Sequence, residues 1–326
     1  MDVTLIGAGL MGRIHLDAWI RTGARVRVHD SDGDRAAALA QQFGAGVVDT
    51  IAAALDGADA VDICSPTASH RDIALAAIAA GVAVVCEKPL ATSAAEAEEI
   101  VAAADAAGVP VYPAYGTRFI PAYARLRELV AAGELGAGAV GRFTSVGYHP
   151  RAWTDTLSAR SGGVLTDAMA HGVDLAYWVF GDVTRVHASY RGELATPAPA
   201  GTVAIGTAVL THAGGAVSQV VCGWAAEQTR HRTTFHVSGN GGSMQYDSTW
   251  PQPLRVTGGA VADVPRAFGE SPFVAQIREF AGAVTGAREA RVTGKDALAV
   301  ARITEAAAES AWTGRAVELG ADGGRR

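Results

Sequence analysis

Two short stretches hold the side chains with the greatest chemical reach. In Cys86-Glu87-Lys88-Pro89 an ammonium follows the apolar run 83–86. A lysine in a strand-end turn can hydrogen-bond a carbonyl or alcohol oxygen, and partial desolvation lowers its pKa towards the working range. It can equally be a solvated turn residue. In the stretch from Ser161 to Asp174, Asp167, His171 and Asp174 fall at i, i+4 and i+7, so an α-helix there projects all three from one face. The intervening Val164, Leu165, Ala168, Met169 and Val173 are apolar, the pattern of a buried helix. An imidazole near a carboxylate is held in one tautomer with raised basicity, which suits exchange of a hydroxyl proton. The competing readings are a hydrogen-bonded core histidine and an aspartate that caps the helix. Asp–His–Asp is also a metal-ligand set, but no second ligand cluster accompanies it, so no metal is expected.

A third stretch supplies an anion site. The apolar run 3–6 leads into Gly7, Gly9 and Gly12. In such a turn Gly7 permits the tight bend, Gly9 lets the backbone approach a pyrophosphate, and Gly12 lets the next helix lie close on the sheet. That helix starts at Leu10 and Met11, whose N–H groups and dipole favour an anion. A second strand ends at Asp30, where a dinucleotide fingerprint places its acidic residue. Asp30 can accept both ribose hydroxyls and would repel a 2′-phosphate, and the nearest following cation is Arg35, so NAD is expected over NADP. Around the end of a fourth strand, Ser65, Pro66 and His70 form a turn into a helix that would lie beside the ribose or pyrophosphate. Thr67 or Ser69 in that turn can equally be helix caps.

The elements that must position these groups follow from the hydrophobic pattern. Strands at 3–6, 26–29, 47–48, 60–64, 83–86 and 109–112 alternate with alanine-rich helical segments, the signature of a doubly wound parallel Rossmann sheet. Lys88 then stands at the carboxyl end of the fifth strand, where open α/β sheets bind ligands. Beyond Arg118 the pattern becomes a helix at 122–132, a long strand at 139–149, the helix entered at Ser161, and strands at 183–190, 207–211, 216–224 and 233–238. Successive strands without helices between them imply an α+β domain with an open, mostly antiparallel sheet. Helices at 273–284 and 296–312 follow, and the tail 320–326 reads as disordered. The expected domains are 1–118 for the dinucleotide and 119–326 for substrate binding and oligomerisation. Tyr148, His149 and Trp153, between the long strand and the helix of His171, are candidate substrate contacts or core aromatics.

The 326 residues carry 27 Lys and Arg against 33 Asp and Glu, a net charge of −6, which supplies no basic field for nucleic acid. With 49% hydrophobic and 18% charged residues the chain is compact and not disordered. No apolar run is long enough for a membrane span and no signal segment is visible. Cys64, Cys86 and Cys222 lie far apart in strand-like runs, as buried thiols in a reducing compartment do, so a cytoplasmic protein is expected. Apolar residues at both parities of 207–211 and 216–224 suggest that both faces of this sheet are covered, the second by another copy of the chain in a homodimer or homotetramer.

In this order these motifs resemble the glucose–fructose oxidoreductase/inositol dehydrogenase (Gfo/Idh/MocA) family. The likeness covers nearly the whole chain: the glycine turn, Ser65-Pro66 with His70, Glu87-Lys88-Pro89, Arg118-Phe119 before Pro121, and Gly162-Gly163 followed by Asp167, His171 and Asp174. It implies an open mixed carboxy-terminal sheet used for substrate binding and oligomerisation. It also matches Lys88, Asp167 and His171 to the family's catalytic lysine, aspartate and histidine. Two departures are Met169, where relatives often have Gly, and Gly116, where they often have Asn; both bear on substrate identity more than on fold. The expected activity is nicotinamide-dependent oxidation or reduction of a secondary alcohol or ketone of a sugar, cyclitol or related polyol. Glu87 and Lys88 are cofactor contacts in this reading, and Lys88, Asp167 and His171 contact the substrate as well. NAD-assisted elimination or glycoside cleavage through a transient ketone is an alternative, and so is a cofactor-binding sensor without catalysis.

Overall fold

The structure is a computed structural model that describes residues 1–148, 163–192, 203–226, 228–258 and 270–320. His149, Trp153, Ser161, Gly162 and the tail 321–326 lie outside them. The chain divides into two compact units, Met1–Phe119 with Glu270–Leu298, and Ile120–Gly269 with Ala299–Arg326.

In the first unit, β1 (Asp2–Ile6), β2 (Arg25–His29), β3 (Gly46–Val47), β4 (Ala60–Ile63), β5 (Ala83–Cys86) and β6 (Val111–Pro113) form one sheet in the order β3-β2-β1-β4-β5-β6. Every pairing is parallel. β4 and β5 are buried at every residue, as strands covered by helices on both faces must be. The connecting helices are α1 (Leu10–Arg21), α2 (Gly33–Phe43), α3 (Ile51–Leu55), α4 (His70–Ala79) and α5 (Ala94–Ala107). Side chains cap three of them: Asp32, Thr50 and Ser93 accept from the backbone N–H groups of Arg35, Ala53 and Glu96. The strand order reverses between β1 and β4, which opens a crevice at their carboxyl ends.

The expected boundary at 118/119 puts residues 270–298 in the second domain, whereas they belong to the first unit. Arg118 is fully buried, and its guanidinium donates to Arg291 O at 2.9 Å and to Asp296 Oδ1 at 3.1 Å. Arg291 in turn lies 4.3 Å over the Phe119 ring and donates to Glu279 at 2.7 Å. Phe280, on α8 (Pro272–Val284), stacks on Tyr112 and meets Phe119 edge-on. The Arg118 contacts span 173 and 178 positions of sequence, so no local pattern announces them.

The second unit holds α6 (Pro121–Ala131), β7 (Val140–Tyr148), a π-helical turn (Val164–Ala168), α7 (Met169–Phe180), and strands β8 (Val183–Arg191), β9 (Ala204–His212), β10 (Val217–Ala225), β11 (Arg232–Gly239), β12 (Gly242–Asp247), β13 (Leu254–Thr257) and β14 (Val317–Glu318). The helix α9 (Gly294–Thr313) begins in the first unit and ends in the second. The sheet order is β13-β12-β11-β7-β10-β9-β8-β14, with β7–β10 parallel and the other pairs antiparallel. β12, β13 and β14 are short and half polar, and the sequence reading omits them.

One face of this sheet is core. Phe143, Ala208, Leu210, Val220, Phe235 and Val237 are buried, and Tyr123 of α6 meets Phe235 edge-on at 5.0 Å. α7 lies so close that a Cβ on Gly172 would be 2.5 Å from Val220 Cγ1. On the other face Val140, Ile205, Val209 and Val217 are 58%, 41%, 42% and 38% exposed. The alternation along β9 is therefore regular within one chain, and the outer face carries these exposed apolar residues beside polar ones such as Arg142 and Gln219. Among the described residues no helix is long and apolar enough to cross a membrane.

Candidate active site

The glycine turn joins β1 to α1. Gly7 has φ +109°, and a Cβ there would lie 2.6 Å from the backbone of Cys64 and Ser65; a Cβ on Gly12 would lie 1.9 Å from Gly7 O. Both are glycine because the protein itself leaves no room. Gly9 differs, since a Cβ there would meet nothing within 4 Å. Its freedom from a side chain serves something other than the chain's own packing, as close approach of a pyrophosphate requires. Gly9 is also the N-cap of α1 and supplies no side-chain cap, nor is there an acidic residue in the first turn. The first-turn N–H groups, including those of exposed Leu10 and half-buried Met11, therefore have no capping carboxylate.

Asp30 closes β2. Its Oδ2 accepts from Ala8 N–H at 2.7 Å and its Oδ1 from Asp32 N–H at 2.9 Å, which locks the carboxylate against the glycine turn. Each oxygen keeps a further lone pair for a hydroxyl donor. Arg35 is paired with Asp32 at 3.2 Å. These residues fit a dinucleotide with unphosphorylated ribose.

At the ends of β4 and β5 the remaining residues of this half come together. Ser65 is half-buried with its hydroxyl 2.7 Å from that of Ser69, and Pro66 is exposed. His70 is buried, with Nδ1 2.9 Å from Pro89 O and Nε2 2.8 Å from Ser65 O, so it ties the two strand-end turns to each other. Two carbonyls favour a doubly protonated ring, but burial outweighs them and holds its pKa below the ordinary histidine value. Both ring nitrogens thus face backbone carbonyls, the neutral ring donating to one of them, and His70 shapes the cofactor side through the backbone. Lys88 is half-buried and its bond to Pro89 is cis.

Glu87 points inward. Its Oε2 accepts Lys88 N–H at 3.0 Å, and its Oε1 lies 3.1 Å from His15 Nε2. His15, on α1, has its Nδ1 2.8 Å from Asp62 Oδ2, which also accepts Trp19 Nε1–H at 2.7 Å, while the Cys64 thiol donates to Asp62 Oδ1. Burial opposes a charge on His15, yet the Asp62 carboxylate, as ion and as hydrogen-bond partner, raises its pKa well above the ordinary value. Burial pushes the Cys64 and Cys86 thiols up, so both stay protonated. The sequence reading misses this network; its signals were an Asp in the otherwise apolar β4 and a His on the inward side of α1.

In the second unit, Gly163 enters the helix with φ +75°, a left-handed backbone that favours glycine. Gly163 O accepts Asp167 N–H at 2.8 Å, and Met169 N–H reaches back five residues to Val164 O. The turn carrying Asp167 is therefore π-helical, and the i, i+4 spacing to His171 does not run on one uninterrupted α-helix. π turns of this kind recur at functional sites. Asp167 is buried, His171 half-buried and Asp174 fully buried. Met169 is buried against Gly206 of β9, where a Cβ would lie 3.1 Å from Met169 Cε, so the thioether fits because position 206 has no side chain. At Gly116 a Cβ would meet Gln276 Oε1 at 3.4 Å, so Gln276 fills the space a larger residue there would need. The backbone of Tyr148 ends β7.

Comparison with known proteins agrees with both halves. Residues 1–115 match the oxidoreductase family with an NAD-binding Rossmann fold (GFO_IDH_MocA), and residues 123–245 match the GFO/IDH/MocA C-terminal domain. A D-apiose dehydrogenase of Paraburkholderia graminis is 32% identical over 97% of this chain and 88% of its own. An inositol 2-dehydrogenase of Acidothermus cellulolyticus is 37% identical over 55% of this chain and 53% of its own. The solved structure of GenD2 from gentamicin A biosynthesis, in complex with NAD, is 29% identical with a TM-score of 0.83, covering 98% of this chain and 97% of that one.

Proposed function

The chain belongs to the GFO/IDH/MocA oxidoreductase family, and from that membership we propose that it transfers hydride between NAD and a secondary alcohol or ketone of a sugar, cyclitol or related polyol. The observation that carries this reading is the placement of Lys88 at the end of β5, in the same unit as a glycine turn built for a pyrophosphate. The substrate class comes from the relatives, which are named for apiose and inositol.

When bound, the nicotinamide supplies hydride acceptance or donation at the substrate carbon. The chain's residues handle the oxygen and its proton. Lys88 donates a hydrogen bond to the reacting oxygen, and His171 exchanges the hydroxyl proton. Asp167 orients or charge-balances them. Tyr148, His149 and Trp153 are proposed as substrate contacts. Asp30 selects NAD over NADP, an assignment supported by its position against Ala8 and by the pairing of Arg35 with Asp32. Lys88→Ala and His171→Ala, each assayed on a confirmed substrate, test these roles: a loss of order 10²-fold in kcat is expected for each. Full turnover in either variant removes that residue from the mechanism.

We further propose a cytoplasmic homodimer or homotetramer joined through the outer face of the second sheet. Free thiols at Cys64, Cys86 and Cys222 support the compartment. The exposed apolar residues of β7, β9 and β10 support the interface, which should bury roughly 1,000 Å² or more. Light scattering at the 33.3 kDa monomer mass would overturn it.

A further inference from the structure

The network beneath Lys88 is built around a group that neither cofactor nor substrate needs to touch. His15 is fully buried, and carboxylate oxygens stand at both of its ring nitrogens: Asp62 Oδ2 at 2.8 Å from Nδ1 and Glu87 Oε1 at 3.1 Å from Nε2. A neutral imidazole has one N–H and one lone pair, so it would turn that lone pair on one of the two carboxylates. Only the imidazolium sets a positive charge between the two. The Nδ1 contact is a hydrogen bond, whereas the Nε2 contact lies off a hydrogen bond's angle and acts as an ion pair.

Every group packed around the ring fits this state. On β4, Asp62 is held by Trp19 Nε1–H and by the Cys64 thiol as well as by His15. Beyond β5, Glu87 is buried, and the Cys86 and Cys64 thiols are kept protonated by burial. From α8 the Phe273 ring approaches, at 6.4 Å between centroids. His15, Asp62 and Cys64 are close enough to be read as metal ligands. Their donors are already engaged with one another, since His15 Nδ1 and the Cys64 thiol both bond Asp62 and His15 Nε2 faces Glu87.

The chain of contacts has a direction. It begins on α1, the helix whose first turn is the glycine turn, crosses Asp62 and His15 to Glu87, and ends where Glu87 Oε2 accepts the backbone N–H of Lys88 at 3.0 Å. Removal of the positive charge would leave two buried carboxylates sharing one neutral ring, a costly arrangement that Glu87 relieves by moving or by taking up a proton. Movement of Glu87 moves the backbone of Lys88.

We propose that His15 is a positioning residue for the reaction: as an imidazolium between Asp62 and Glu87 it fixes the carboxylate that anchors Lys88, and so sets the lysine's place relative to the cofactor turn. This rests on the reading of Lys88 as the partner of the reacting oxygen. The charge state is tested in the wild-type protein by nitrogen-15 NMR of histidine-labelled enzyme between about pH 7 and pH 9. His15 is expected to carry protons on both nitrogens at the start of that range; a neutral ring there overturns the proposal.

The positioning role is tested by His15→Gln, Glu87→Gln and the double variant, assayed with NAD and the best sugar or cyclitol of a panel. His15→Gln should lower kcat about tenfold or more while the Kd for NADH stays within about twofold, because a small displacement at the reacting group costs rate before it costs binding. The double variant should recover part of that loss, since the carboxylate left uncompensated is gone. Equal or additive losses, or a His15→Gln kcat near wild type, overturn the proposal. If His15→Gln does not fold, Glu87→Gln alone decides, with unchanged kcat as the contrary result. Lys88→Ala run beside these separates the two levels: full turnover in that variant removes the reading of Lys88, whereas its loss together with an unaffected His15→Gln removes only the role of His15.

Discussion

Gly12 faces Gly7 so closely that a Cβ on Gly12 would stand 1.9 Å from the Gly7 carbonyl oxygen, whereas a Cβ on Gly9, three residues earlier, would touch nothing. The two glycines therefore answer to different requirements. Gly12→Ala should destabilise the fold by about 2 kcal/mol or more, since a backbone clash must be relieved by shifting α1 off the sheet. Gly9→Ala should leave the unfolding midpoint nearly unchanged and weaken NADH binding. Urea unfolding and fluorescence titration of NADH on both variants check the contrast.

Asp30 is expected to give NADH a Kd about tenfold or more below that of NADPH, equivalent to about 1.4 kcal/mol. Asp30→Ser should narrow the ratio, although it also removes the acceptor of Ala8 N–H and so loosens the turn for both cofactors. Tighter NADPH binding by the wild type would show that the carboxylate is turned away from the ribose.

Arg118 is a stability residue in this account. Arg118→Ala leaves Arg291 O and part of Asp296 without their buried partner, at a cost of about 3 kcal/mol in urea unfolding. Arg118→Lys should recover only part of this, because an ammonium cannot reproduce the forked donor set.

Stability should fall on both sides of neutrality, through different histidines. His70 and His212 are held below the ordinary value of 6.5 by burial, so the unfolded chain binds the extra protons first and stability falls as pH drops below 6.5 towards their folded values. His15 has the opposite sign. Its pKa is raised in the fold, so its contribution is complete below 6.5 and is lost as pH rises through the folded value. His15→Gln should flatten the alkaline slope of unfolding free energy against pH, and His70→Gln the acid slope.

Much of the first unit was legible because its signals are local. Most of the six strands contain short apolar or β-branched runs, and the glycines at 7, 9 and 12 and the acid at 30 sit at the spacings a dinucleotide turn requires. Lys88 was legible for the same reason, as a charge at the end of an apolar run. The return of residues 270–298 was not, because it depends on Arg118 meeting Arg291 and Asp296 far along the chain. His15 and Asp62 were hidden likewise, since 47 positions separate them and each alone resembles an ordinary polar residue in a core. The π turn at Asp167 escaped because residue types that fit an α-helix also fit one wider turn.

The central claim is net redox transfer on a polyol, and one measurement bears on it most directly. Purified protein is incubated with NAD and a panel of sugars and cyclitols including D-apiose and myo-inositol, while absorbance at the reduced-nicotinamide band and product are followed together. The account predicts that reduced cofactor accumulates in step with product, one for one. Product formed with no net accumulation of reduced cofactor, as in elimination through a transient ketone, or cofactor binding without turnover on any member of the panel, would contradict it.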